Sequence, residues 1–129
     1  MSIKFNNNFA HDLEIGQQYE GMFANILRGK TLEIKTDLLA HKTGNIAIEY
    51  EYREKPSGIA KTTADYWAYI LPNAEIKNII LLMETSQLKH VARELSKHPK
   101  NIRCGGDDNA SKMVLVPIQR LIRDVITSN

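Results

Sequence analysis

The chain has 129 residues, 43% of them hydrophobic and 25% charged, with a formal net charge of +2. These are the values of one ordinary globular domain with a real core, and they exclude a disordered or low-complexity chain. No apolar run is long enough to span a membrane and none reads as an export leader, so a soluble, cytoplasmic protein with no membrane contact is expected. The single cysteine, Cys104, has no disulfide mate and no zinc-spaced partner. A charge of +2 does not by itself announce nucleic-acid binding, although a basic surface beside an acidic pocket is compatible with it.

Residues 1–11, with Asn6, Asn7 and Asn8, read as a loose lead-in to a single domain spanning 1–129. From Asp12 onward Ile15, Tyr19, Met22, Phe23 and Ile26 recur at helical spacing, with Asp12 placed to cap the helix and Gly29 to end it. Glu20 sits beside that apolar stripe, either with its head in water or aimed at the sheet on which the helix packs.

Thr31 to Glu51 then alternates with period two in two runs. Glu33, Lys35 and Asp37 share one face of the first and Leu32 and Ile34 the other; in the second, Glu49 and Glu51 oppose Ile46, Ile48 and Tyr50. The residues between them, His41 to Asn45, have turn chemistry, so an antiparallel hairpin is expected. It would gather four carboxylates and a lysine on one face. Like charges at ~4 Å repel by roughly 4 kcal/mol at an effective dielectric of about 20, so such a patch either stays spread in water or holds a cation.

Lys55-Pro56-Ser57-Gly58 is a loop, and Thr62 or Thr63 either caps a short turn or leads straight into a strand. Trp67 to Leu71 and Asn78 to Met83 read as buried strands. Thr85 or Ser86 should cap a helix that turns Leu88, Val91, Ala92 and Leu95 inward and Lys89, Arg93 and Lys97 outward, until Pro99 stops it. The Gly105-Gly106-Asp107-Asp108 loop matches neither a phosphate-binding nor a calcium-binding loop. Lys112 to Val116 is a last strand, and Pro117 opens a helix with Ile118, Leu121, Ile122, Val125 and Ile126 inward. The scattered histidines show no metal-ligand pairing and no serine sits in a nucleophile elbow. This order of elements calls for an α/β or α+β fold, a mixed central sheet flanked by helices.

A helix glutamate (Glu20), then GKTLEIKTD (Gly29 to Asp37), TGNIAIEYE (Thr43 to Glu51) and KPSGIAKTTADYW (Lys55 to Trp67) together resemble the PD-(D/E)XK nuclease superfamily, most of all small endonuclease-like proteins of bacteriophages. The resemblance runs roughly from Asp12 to Leu71. It implies a restriction-endonuclease-like fold and divalent-metal-dependent hydrolysis of DNA phosphodiesters, with Mg²⁺ as cofactor and Mn²⁺ as substitute. The implied partner is DNA, a homodimer is a further arrangement open to the family, and a phage protein would act in the bacterial host's cytoplasm.

Two registers of the resemblance stay open. In one, Glu33-Ile34-Lys35 is the (D/E)xK pair, though no Pro-Asp precedes it. In the other, which is preferred because the residues between Asp37 and Glu49 suffice for one hairpin turn, Asp37 is the first acid and Glu49-Tyr50-Glu51 the second motif, with glutamate in the lysine's place. That register implies Glu20, Asp37, Glu49 and Glu51 around the metal, Lys35 or Lys61 as catalytic cation, and Glu33 as the partner of Lys35. Lys42, Lys55, Ser57, Lys61, Thr62 and Thr63 flank the patch and are expected to hold DNA phosphates without reading sequence. The same fold with a silent site would instead be a module that binds DNA or a host protein.

Overall fold

The computed structural model describes residues 5–73, 75 and 77–127, with side-chain burial described for 9–73, 75 and 77–123, so the expectations for Val125 and Ile126 and for residues 1–4 lie outside the described residues. The chain divides into two compact units, Met1–Lys30 and Thr31–Asn129.

The first unit is one helix, α1 (Phe5–Leu27). It starts ahead of Asp12, so the lead-in expected over 1–11 is helical from Phe5 onward. No glycine or proline interrupts residues 5–11, and extending an existing helix costs far less than nucleating one. Gly29, at φ 70°, closes the C-terminal end as expected. Tyr19, Met22, Phe23 and Ile26 of its apolar stripe are exposed.

The second unit runs β1 (Leu32–Thr36), α2 (Ala40–Thr43), β2 (Asn45–Tyr52), β3 (Lys55–Pro56), a 3-10 turn at Gly58–Ala60, β4 (Tyr66–Asn73), β5 (Lys77–Glu84) and α3 (Thr85–Ser96). A turn at Pro99–Asn101, β6 (Ile102–Gly105), a turn at Asp107–Asn109, β7 (Ser111–Pro117) and α4 (Ile118–Thr127) complete it. The class is α+β. Strands divide between a mixed sheet in the order β1-β4-β5, with β1 parallel and β5 antiparallel to β4, and an antiparallel sheet in the order β3-β2-β7-β6.

The hairpin expected over Thr31 to Glu51 does not form: β1 and β2 belong to different sheets. Residues read as a turn make the short helix α2 instead. The Asp37 carboxylate accepts the N–H groups of Leu39 and Ala40 at its start, and Gly44, at φ 75°, ends it in the left-handed region. The chain therefore leaves β1 in a new direction, and β1 finds its partner in β4, at a sequence distance that parallel pairing requires. Thr31 and Asp65 fasten the entry to both strands: the Asp65 carboxylate accepts the Thr31 N–H at 2.9 Å and its hydroxyl at 3.2 Å.

The core joins both sheets to α3. Ile46 and Ile48 of β2 lie opposite Val116 and Val114 of β7, and Trp67 of β4 and Leu88 of α3 close on them; all six are fully buried. Burial of each is worth about 1.5–3 kcal/mol. Thr85 opens α3 but does not cap it: its hydroxyl is buried with no hydrogen-bond partner among the described residues, while its N–H donates to the Asp65 carbonyl.

One irregularity in β2 decides which way its carboxylates face. Glu49 lies opposite Met113, but Glu51 lies opposite Lys112, so Tyr50 is an extra residue, a β-bulge. Met113 and Lys112 are neighbours on β7 and point to opposite faces, so Glu49 and Glu51 do too. The expectation that they share a face fails for that reason. Gly58, at φ 52°, packs so closely on β2 that a Cβ there would overlap the carbonyl oxygen of Glu49. Gly58→Ala should lower stability by about 2 kcal/mol or more, from left-handed strain plus overlap. A urea midpoint equal to that of the unchanged chain would show that the contact is not tight.

Candidate functional site

β1 is an edge strand, and its alternation sets Glu33 and Lys35 on the same face as Trp67 and Tyr69 of β4, their register partners. Leu32 and Ile34 take the other face and are 47% and 58% exposed, the reverse of the amphipathic reading, while Glu33 is half-buried. Lys35 Nζ is 3.2 Å from Glu33 Oε1 and 5.7 Å from the centre of the Trp67 ring, held between a carboxylate and a π face.

Glu33 and Lys35 form one side of an open groove of about 700 Å³. Glu49 of β2 reaches the same groove from the other sheet, and Ser57, Lys61, Thr62 and Thr63 line it as well. The Ser57 hydroxyl donates to Glu49 Oε2 at 2.7 Å, which fixes the carboxylate and leaves Oε1 without a hydrogen-bond partner among the described residues. Thr62 serves the fold, because its hydroxyl oxygen accepts the Ala64 N–H at 3.2 Å and the Trp67 indole N–H at 3.3 Å. Lys61 is exposed and makes no ion pair among the described residues.

The other expected residues of the larger unit do not line this groove. Asp37 gives both carboxylate oxygens to the backbone, Oδ1 to Leu39 and Ala40 and Oδ2 to Ala47, each at 3.0 Å. Glu51, turned away by the bulge, pairs with Lys112 at 3.2 Å, and that bond raises the lysine's pKa. Glu20 is an exposed residue of α1 in the first unit. Lys42 is exposed on α2 and Lys55 on β3. Among the described residues no three His, Cys, Asp or Glu side chains form a metal cluster, so Asp37, Glu49 and Glu51 are not gathered into one.

Tyr69 went unnoticed in the sequence because it stands inside an apolar strand. Its hydroxyl donates to the Ala47 carbonyl at 3.2 Å. Burial, with the negative charges of Asp37 and Glu33 adding to it, pushes the phenol pKa far above its ordinary value. Nothing beside it in the sequence signals its place, since Asp37 and Glu33 come near it only in the fold.

Hard oxygen donors of the kind seen at Glu33 and Glu49 suit Mg²⁺ or Mn²⁺, because Mg²⁺ is commonly held by one or two carboxylates, several waters and substrate phosphate oxygens. The two carboxylates of the groove are donors of that type. Its remaining cations and hydroxyls are groups that bind phosphate oxygens.

Asp37→Asn should destabilise the fold by about 1–3 kcal/mol, since an amide offers one acceptor oxygen where three backbone donors now converge and sets an N–H₂ against one of them. An equal or higher urea midpoint would contradict this. Tyr69 carries a pH signature: its folded pKa is raised, so the stability it contributes is full below the unfolded value of about 10 and is lost as pH rises above that. Urea midpoints followed from about pH 9 to about pH 11 should fall, and fall less in Tyr69→Phe.

No protein-family model matches the chain, and no curated protein or solved structure matches it.

Proposed function

We propose that the groove hydrolyses phosphodiester bonds of DNA with the help of a divalent cation, the activity that the resemblance to PD-(D/E)XK nucleases implies. The observation that carries this reading is the convergence of two carboxylates from different sheets, Glu33 and Glu49, with Lys35, Lys61 and the Ser57 hydroxyl in one open groove. Glu33 and Glu49 would hold the ion. When bound, it neutralises charge developing on the phosphoryl oxygens and acidifies a coordinated water.

The protein's own groups supply the rest. Ser57 holds Glu49 in one orientation by its 2.7 Å hydrogen bond, the role that outer partners play at metal sites. Lys35, fixed by Glu33 and Trp67, presents a stationary positive charge toward the groove. Lys61 and Thr63, both exposed, bind backbone phosphates and set the strand in the groove. This reading keeps Glu49 from the expected metal set of Glu20, Asp37, Glu49 and Glu51 and puts Glu33 in place of the other three. No helix among the described residues is long and apolar enough to cross a membrane, and a cytoplasmic site of action, inside a bacterial host for a phage protein, goes with the proposal.

A second reading, a DNA-binding module with a silent site, draws support from Asp37, whose oxygens are occupied by three backbone N–H groups, and from Glu51, which pairs with Lys112. Nicking of supercoiled plasmid separates the two. The expected result is cleavage with Mg²⁺ or Mn²⁺ and none with EDTA, a loss of about 100-fold or more in Glu49→Gln and Glu33→Gln, and about tenfold in Ser57→Ala. Salt-sensitive DNA binding with no cleavage under any metal would select the binding module. Cleavage that persists in EDTA, or in both glutamine variants, would overturn the metal reading.

A further inference from the structure

Behind the wall that carries Glu49 lies a second cavity, of about 200 Å³. Its floor is apolar, made by Ile59, Ala60, Ala92 and Val114. Around the floor stand Lys89, Arg93 and Ser96 of α3 and Tyr50 of β2. Lys89 and Arg93 are four residues apart on one helix and therefore neighbours, so their charges repel when nothing lies between them. Among the described residues neither side chain forms an ion pair or a hydrogen bond, and the Tyr50 hydroxyl has no hydrogen-bond partner. The Ser96 hydroxyl already donates to the Arg93 carbonyl at 2.9 Å, so its oxygen is left as an acceptor.

We propose that this cavity is a binding site for a phosphate monoester carried on a small planar body, a nucleoside monophosphate in size and chemistry. The guanidinium and the ammonium supply a fork and a point charge for the phosphate dianion, with the Tyr50 hydroxyl as a third donor. The Tyr50 ring and the apolar floor take a flat, weakly polar ring, and Ser96 Oγ accepts from a ring N–H. The volume lies below the about 300 Å³ of sites for drug-sized ligands, which leaves room for one base and sugar with the phosphate at the mouth. The site is defined by this cavity alone and does not depend on the groove being catalytic.

The test is calorimetric titration of the full chain at fixed ionic strength with thymidine 5′-monophosphate, thymidine and inorganic phosphate. Saturable 1:1 binding of the monophosphate is expected, tighter than either thymidine or phosphate. Arg93→Gln and Lys89→Gln, at exposed and half-buried positions, should each weaken it by about tenfold, the loss of one charge-assisted hydrogen bond. Tyr50→Phe keeps the ring and should weaken it less. Equal affinity for phosphate and the monophosphate would overturn the role of the apolar floor. Binding that survives Arg93→Gln and Lys89→Gln but falls in Lys61→Gln would place the ligand in the groove and overturn the site, as would no binding at all.

Discussion

Ala47 is where the two sheets of the larger unit are tied together. In an antiparallel ladder a residue either exchanges both backbone groups with its partner or turns both outward. At Ala47 both point away from β7: its N–H donates to Asp37 Oδ2 at 3.0 Å and its carbonyl accepts the Tyr69 hydroxyl at 3.2 Å. Asp37 follows β1 and Tyr69 lies in β4, so two side chains of one sheet satisfy the bare edge of the other. Unpaired edge groups are costly when buried and sticky when exposed, and here they become the joint. The groove depends on it, because Glu33 and Lys35 stand on one sheet and Glu49 on the other.

Much of the fold was legible because it rests on local patterns. The alternation of Leu32 to Thr36 and of Asn45 to Tyr52, the apolar runs of β4 and β5, the stripe of α3 and the opening of α4 after Pro117 all have periods that a sequence displays, although β5, whose run reads as a buried strand, leaves Ile79 and Ile80 exposed at the sheet edge. Pairing is another matter. Period two says which side chains share a face but not which strand lies beside it, and turn-forming residues between Leu38 and Asn45 serve a short helix as well as a hairpin. Asp37 decided the outcome by capping that helix, an act that depends on backbone N–H groups rather than on neighbouring side chains.

The site was half legible for the same reason. Glu49, Ser57, Lys61 and Lys35 were marked by their chemistry, and the structure brings them into one groove. Residue chemistry alone points to a supporting role for Glu33 and a leading one for Asp37, whereas Glu33 lines the groove and Asp37 holds backbone. Nothing in the residue types of Glu49-Tyr50-Glu51 announces a bulge; it follows from the register against β7, set by contacts far away in sequence. Tyr69 was hidden by its apolar neighbours.

The long-range ladder between β2 and β7 also fixes an order of assembly. β4 and β5 are neighbours in sequence and can pair as soon as both exist, but β2 must wait for a strand that begins at Ser111. Closing so large a loop costs entropy before any contact repays it. On a ribosome, therefore, Glu49 gains its supporting neighbour only after Met113 has emerged. A nascent chain that stops short of β7 carries the residues of the groove without the wall that aims them, so emergence of β7 itself acts as the control on when the groove exists.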